Sequence, residues 1–425
     1  MTRAVRMVVP IVALMVLLTA CDWLQSGFDA SNDGNNPTET AVHAASYAGL
    51  TKAWEYDVTG PSAPVLATAD GRVIGISSGP MVALDAAAGT LDWSLVPDPN
   101  GPPLTTDNPC GGGGVLANAG PVVALGAIYG VGVACVTGLG PASYGLFSAT
   151  VDPSSGSPTW TESSIDNWPD TQDVSRTAAN GVLYTTASSS RPGNPMPPYF
   201  VYQVDLTSGS NSYFTATGRS IGRPAINATQ AFLTTPGVLN AVSVTTPGAP
   251  LWTAALTSTD TPTPSIDGAH VYVTDGATVK AFDLATGALE WTAPLPATGS
   301  DDAPAIGGGR VFVRTANKIV AIDATTGAVD WTGTLGTLGT TAAGLGSPSV
   351  AGDIVYVGSQ DGNLLAFDAT GSRGCSGTPV VCTPMSTSSI GGPPGASRPV
   401  PASGAVYIGA LHADGNMAVY RFTPH

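Results

Sequence analysis

The sequence predicts an all-β protein built as a closed ring of eight four-stranded antiparallel sheets, an eight-bladed β-propeller. Three observations predict it. Val271–Thr292 (VYVTDGATVKAFDLATGALEWT) is nearly restated by Val311–Thr332 (VFVRTANKIVAIDATTGAVDWT), with Asp283 and Asp323, Gly287 and Gly327, and Trp291 and Trp331 each 40 residues apart. A period of that length, with apolar alternation inside each copy, marks a repeated four-stranded unit. Weaker copies extend the repeat to eight units. Finally, Trp54 in KAWEYDV reads as an outer strand with no inner strands before it, while the eighth unit stops at His425 without an outer strand. Pairing the two closes the ring and removes its open edge.

In chain order, residues 1–20 have the form of an export signal. Arg3 and Arg6 precede an apolar run, Val8–Leu18, too short to span a bilayer. The run ends in Leu18-Thr19-Ala20-Cys21, which resembles a bacterial lipobox, in which the Cys becomes the lipidated N-terminus; the alternative is an ordinary cleaved signal with Cys21 incidental. Residues 21–49 are polar and turn-rich (SGFDASNDGNNPTET) and are expected to form a flexible tether with a reach of about 30 Å. The propeller domain is then expected over 50–425. Cleavage at Cys21 removes two Arg and no acid from 15 basic and 30 acidic residues, leaving 13 against 30. That charge argues against nucleic acid as a partner.

The repeat unit is clearest at Pro264–Trp291. Strands are predicted at Ser265–Ile266, His270–Thr274, Thr278–Asp283 and Ala288–Thr292. Asp275-Gly276 supplies a tight hairpin turn, and Asp283–Gly287 a turn in which Asp accepts backbone N–H groups and Gly takes the left-handed position. Trp291, on the outer strand, is expected to pack on the neighbouring unit and donate its indole N–H to a backbone carbonyl. One sheet cannot cover both of its own faces, so the units must stack. Unit one runs from Pro64 to Trp93, and unit two ends in VDPSSGSPTW. Unit three has Tyr213 in place of Trp, and unit four, Pro224–Trp252, has Ser243 in place of Asp. Unit seven follows AFDATG with a Cys-containing segment, and unit eight begins at Pro399.

The pattern A-x-D-x-x-T-G-x-x-x-W, complete at Ala281–Trp291 and Ala321–Trp331, resembles the quinoprotein-type (PQQ-like) β-propeller repeat, and the lipobox adds a resemblance to BamB-like propeller lipoproteins. The resemblance covers about 50–425 and implies a fold. It further implies a membrane-anchored module that binds an envelope protein partner, at the extracytoplasmic face of a cell membrane or in a periplasm. The quinoprotein dehydrogenases of the same superfamily imply the rival reading. Alcohol-oxidising members carry adjacent cysteines against the quinone and acidic ligands to Ca²⁺. This chain has no adjacent cysteines, and its four glutamates, Glu39, Glu55, Glu162 and Glu290, fall in the tether or beside outer strands. The expectation is therefore no enzyme, no PQQ and no metal.

Five cysteines suit an oxidising compartment. With Cys21 lipidated, the expected disulfides are Cys375–Cys382 and Cys110–Cys135; free thiols are the alternative. The first would staple a loop of unit seven, worth about 2.5 kcal/mol on the chain-entropy account, in place of the missing Trp. Other motifs carry no chemistry. Gly75–Gly79 matches G-x-S-x-G, yet the repeat places Ser77 in a β-hairpin rather than on a strand-to-helix elbow. Gly111–Gly114 lacks the Lys and helix of a phosphate loop. Asp166, Asp170 and Asp173 lack the spacing of an EF-hand.

One candidate site remains. At the start of the inner strand, Arg176, Arg223 and Arg398 occupy equivalent places in units three, four and eight, which in a ring surround the channel mouth. Guanidinium groups there could grip a small anionic ligand through carboxylate or phosphate, which makes a sensor or carrier the alternative function; they could equally pair with Asp173, Asp260, Asp301 or Asp302. The long inserts 95–120, 161–175 and 188–200 all fall on one face of units one to three and carry Trp168, Met196 and Tyr199, as binding loops on a rigid scaffold do.

Overall fold

The computed structural model describes residues 22–39, 43–58, 64–76, 81–95, 115–116, 120–136, 143–168, 175–188, 199–215, 223–246, 248–337, 345–395, 397–412 and 416–425. Among these, every regular element is a strand, and the strands form eight sheets. Blade 1 runs from Val65–Ala69 to Leu91–Leu95, and blade 2 from Val122–Ala124 to Pro158–Trp168. Blade 3 runs from Ser175–Ala179 to Asn211–Thr215, and blade 4 from Ala225–Ile226 to Trp252–Ala255. Blades 5 and 6 run from Ser265–Ile266 to Leu289–Pro294 and from Ala305–Gly307 to Val329–Thr334, and blade 7 from Ser349–Ala351 to Ser386–Ser389. The predicted strands of blade 5 are displaced by at most two residues, because hairpin turns and apolar alternation fix both ends of each strand.

Blade 8 closes as the sequence requires. Its inner strands, Val400–Ala402, Ala405–Leu411 and Met417–Pro424, receive Leu50–Val58 as the outer strand. The register runs from Leu50↔Pro424 to Val58↔Met417, with a bulge between Lys52 and Trp54. The extra residue puts Lys52 and Glu55 on one face, toward blade 7, and Trp54 on the other, toward blade 1.

Among the described residues the core is divided into several clusters. Buried apolar side chains fill the wedges between neighbouring blades. Ala305, Phe312, Ile319 and Trp331 of blade 6, for example, pack on Val350, Val355, Leu365 and Phe367 of blade 7. The repeat motif locks these wedges by one recurring device. The Asp of each turn accepts local donors, as Asp283 does from the Thr286 N–H and hydroxyl at 2.7 and 2.6 Å, and the turn ends in a Gly with positive φ. The outer-strand Trp of the preceding blade lies against that Gly. It donates its indole N–H to the carbonyl just after the Asp: Trp54 to Ala86, Trp93 to Pro153, Trp252 to Leu284, Trp291 to Ala324 and Trp331 to Ala369. A Cβ on Gly327 would stand 2.8 Å from the Trp291 ring, so the position admits Gly only. Trp54 makes this lock between blades 8 and 1, which ties the closing strand to the ring on both sides.

Two expectations need correction. Cys375–Cys382 is a disulfide, but it does not stand in for the absent Trp of blade 7. Its hairpin lies parallel on the outer edge of blade 6, with Thr332 opposite Val381, and Cys382 is buried against the Trp331 cluster. At the register of the missing Trp stands Ser386, opposite Ala366. Tyr47 is buried beside it, its hydroxyl 2.8 Å from the Ser386 hydroxyl. The second correction concerns residues 22–39 and 43–49, which are not a flexible tether. The polar segment is bonded into the ring, as detailed below. Ser77 falls outside the described residues, between Arg72–Ile76 and Met81–Asp85, which pair as the expected hairpin. Gly111–Gly114, Asp170, Asp173 and Met196 also lie outside them, as do the side chains of Asp166 and Trp168.

Candidate functional site

Each blade's inner strand has one edge paired to its own sheet and one edge facing the channel. An unpaired edge in a confined channel needs hydrogen-bond partners. The N-terminal segment supplies them in a single lap around one end of the ring. Carbonyls of Trp23, Leu24, Ala30, Ser31, Asp33 and Gly34 accept the N–H groups of Thr68, Val123, Ile226, Ile266, Ile306 and Val350, from blades 1, 2, 4, 5, 6 and 7. The Gln25 amide oxygen accepts the Ala178 N–H of blade 3 at 2.8 Å, and the Glu39 carboxylate the Gly404 N–H of blade 8 at 2.7 Å. Every blade therefore gives this strap at least one backbone N–H. Asn32 donates to the carbonyls of Pro224 and Pro264, and Asn36 to that of Pro401. Positive φ at Gly27, Phe28, Asn32 and Gly34 bends the strap to the circle. Trp23, fully buried, plugs the wedge between blades 8 and 1.

The strap lies at the end of the ring where the first and second strands, and the third and fourth strands, of each blade are joined; we call this the turn face. Its bonds to Thr68, Ala178 and Gly404 fall next to or within the first-to-second strand turns, and the Asp22 carboxylate accepts the N–H of Asp70 in the blade 1 turn.

Beneath the strap, the structure brings two of the three predicted arginines together, but around protein groups rather than open solvent. Arg223 is 9% exposed and Arg398 is 3% exposed. Arg223 bonds the Asn32 side chain at 3.1 Å and pairs with Asp302 at 3.1 Å. Arg398 donates to the Pro348 and Ala303 carbonyls and packs on Gly34, where no Cβ would fit. The pairing with Asp302 thus holds, and the reading of Arg223 and Arg398 as grips for an anionic ligand is corrected: both are used to hold the strap. Arg176 lies on the inner strand of blade 3, its side chain outside the described residues, as are Cys21 and the Cys110–Cys135 pairing. Sequence reasoning missed Arg314, buried on blade 6 and donating to the Gly358 carbonyl at 2.7 Å; burial lowers it to about 10. A buried Arg at a strand position gives no periodic signal.

Electrostatics follow from burial. Desolvation pushes the Asp302 carboxyl up, but Arg398 and Arg223 outweigh it and hold it below its ordinary value. Asp33 in the strap is different: burial, reinforced by Asp29, raises it to about 7 against the opposing Asn35 N–H and Arg398. Its folded-state affinity for a proton exceeds the unfolded one, so its stabilising contribution is complete near pH 4 and is lost as pH rises to about 7. Amide protection of the strap is expected to be stronger at pH 5 than at pH 8, and Asp33→Asn to flatten the difference; hydrogen exchange on both proteins checks this.

A second feature lies on the rim. A pocket of about 390 Å³ opens at the seam of blades 7 and 8, lined by Lys52, Glu55, Ser388, Ser389, His412 and Tyr420. Glu55, Asp57 and His412 have ligand atoms within 4.8 Å of one another. Glu55 is already engaged, by Lys52 at 2.6 Å and the Tyr420 hydroxyl at 3.1 Å, and Tyr420 is bonded to His412. These contacts overcome its desolvation and lower its pKa. These contacts all lie within blade 8 and tie the closing strand to it.

Comparison with known proteins agrees with the fold. Residues 237–419 match the family model described as outer membrane protein assembly factor BamB. No curated protein matches the chain. Among solved structures, it is similar to the quinohemoprotein alcohol dehydrogenase ADHIIG from Pseudomonas putida HK5, at TM-score 0.66 and 13% identity over 95% of this chain and 80% of that one. It is also similar to BamB from Moraxella catarrhalis, at TM-score 0.56 and 16% identity over 88% of this chain and 100% of that one. A europium-containing methanol dehydrogenase gives TM-score 0.62 and 11% identity over 95% of this chain and 98% of that one. At these identities the likeness concerns the fold.

Proposed function

From a chain that is an eight-bladed β-propeller, we propose an extracytoplasmic lipoprotein, anchored through Cys21, whose propeller is a binding or scaffolding module of the cell envelope. The observation that carries the reading is the strap. One end of the channel is occupied by the chain's own residues, bonded to all eight blades, which leaves the rim loops and blade edges as the surfaces for a protein partner. The BamB-like match over 237–419 supports the same assignment, and the lipobox at Leu18–Cys21 supports the address. The reading names no catalytic residue and no cofactor; the absorption spectrum of the purified protein tests for bound quinone, and a quinone band would overturn that part.

Anchoring has its own test. Cys21→Ser is expected to release the protein from membranes or leave it unprocessed, with loss of the acyl mass from the N-terminal peptide. Unchanged fractionation together with an unlipidated wild type would overturn the address. Crosslinking in intact cells, followed by identification of the captured envelope protein, tests the scaffold role; recovery of the propeller alone would argue against it.

A further inference from the structure

The strap changes what a lipid at Cys21 would do. Asp22 is buried, with its carboxylate on the Asp70 N–H, and Trp23 is fully buried between blades 1 and 8. Cys21 is one peptide bond from Asp22, and neighbouring Cα atoms are about 3.8 Å apart. An acyl chain on Cys21 therefore leaves the ring at the turn face with no spacer, where a free tether would have let the propeller hang about 30 Å away in any orientation.

The same face gathers exposed apolar side chains. Seven large hydrophobic residues are exposed among the described ones, and six of them stand at this end. Leu24 is on the strap, and Leu125, 65% exposed, forms the first turn of blade 2. Leu91, Leu251, Leu289 and Val329 follow the turns into the outer strands of blades 1, 4, 5 and 6. The seventh, Val381, is on the disulfide hairpin. Apolar residues spread over one face, around the point where a lipid would emerge, match a surface that rests on a bilayer.

We infer that the turn face of the propeller lies against the lipid surface, held there by the strap, so that the opposite face points away from the membrane. The inference rests on the lipid anchor proposed above. Charge sets the depth of contact. The turns of this face carry Asp85, Asp283, Asp323 and Asp368 among others, and the chain as a whole is strongly acidic. Repulsion from anionic headgroups keeps the contact shallow, at headgroup level, and makes it weaker on anionic than on zwitterionic lipid, with the difference removed by salt.

The test uses the full lipidated chain. Leu125→p-benzoylphenylalanine and Leu289→p-benzoylphenylalanine probe the turn face, and Ala297→p-benzoylphenylalanine, in the exposed connection between blades 5 and 6, probes the opposite one. After irradiation in native membranes, lipid adducts are expected at 125 and 289 and not at 297. In vesicles of phosphatidylcholine, replacing part of the lipid by phosphatidylglycerol is expected to reduce the adducts at low salt. Adducts at 297 equal to those at 125, or no adducts at any position on a chain whose N-terminal peptide carries acyl mass, would overturn the orientation and leave the anchor standing. Absence of acyl mass and of membrane association would overturn both.

Discussion

Deletion of residues 22–39 is expected to destabilise the whole propeller, by about 3–5 kcal/mol or more. Removing Trp23 from a fully buried wedge accounts for that range alone, as emptying a large aromatic site does. The deletion also strips a partner from a backbone N–H of every blade, on the inner strand in blades 1 to 7 and in the first turn of blade 8. Water can enter the opened channel and satisfy those groups, so their loss adds less than a dry burial would. Trp23→Ala separates the two contributions: it keeps the lap of hydrogen bonds and removes the ring. Chemical denaturation of wild type, Trp23→Ala and the deletion checks the expectation. A deletion that melts with the wild type would return the segment to the status of a tether.

Trp331→Ala is expected to cost about 3–5 kcal/mol as well, because one ring serves three elements. Trp331 is 1% exposed and stacks on Phe367 at 5.9 Å between centroids. It donates to the Ala369 carbonyl at 3.3 Å and lies under Cys382 of the disulfide hairpin. Its loss empties the wedge between blades 6 and 7 and leaves a buried carbonyl without its donor. Trp93→Ala is the comparison, since Trp93 makes the same lock from a half-buried position and is expected to cost less. Equal and small losses at both sites, below about 1 kcal/mol, would mean that the locks contribute nothing beyond the sheets.

Much of the molecule was legible in the chain. The 40-residue restatement gave the blade, and Asp283, Gly287 and Trp291 gave the lock, because a turn Asp, a left-handed Gly and a large indole each have one local role that repeats with the period. The closing strand was legible too: Trp54 without a blade and a blade without an outer strand could pair in only one way. The Cys375–Cys382 bond followed from a short loop with two cysteines. All of these are local patterns, or pairs of local patterns, that a period or a spacing can carry.

What only the tertiary structure decided was non-local. The segment SGFDASNDGNNPTET has no apolar period and no strand signal, and by composition it reads as a tether. In the ring this segment meets the inner strands of blades 4 to 7 and the first turn of blade 8, so the polarity that suggests solvent in the sequence is satisfied by protein. The arginines show the same limit. The alignment of repeats could place Arg223 and Arg398 near one mouth, but whether they face a ligand or Asp302 and the strap depends on a segment 191 or more residues away in the chain. Tyr47 in the place of a missing Trp, and the disulfide hairpin on blade 6 rather than blade 7, are further cases. Sequence determines which local shapes a chain repeats; which vacancy each unrepeated segment fills is set by the closed ring, since the vacancies exist only once the blades have come together.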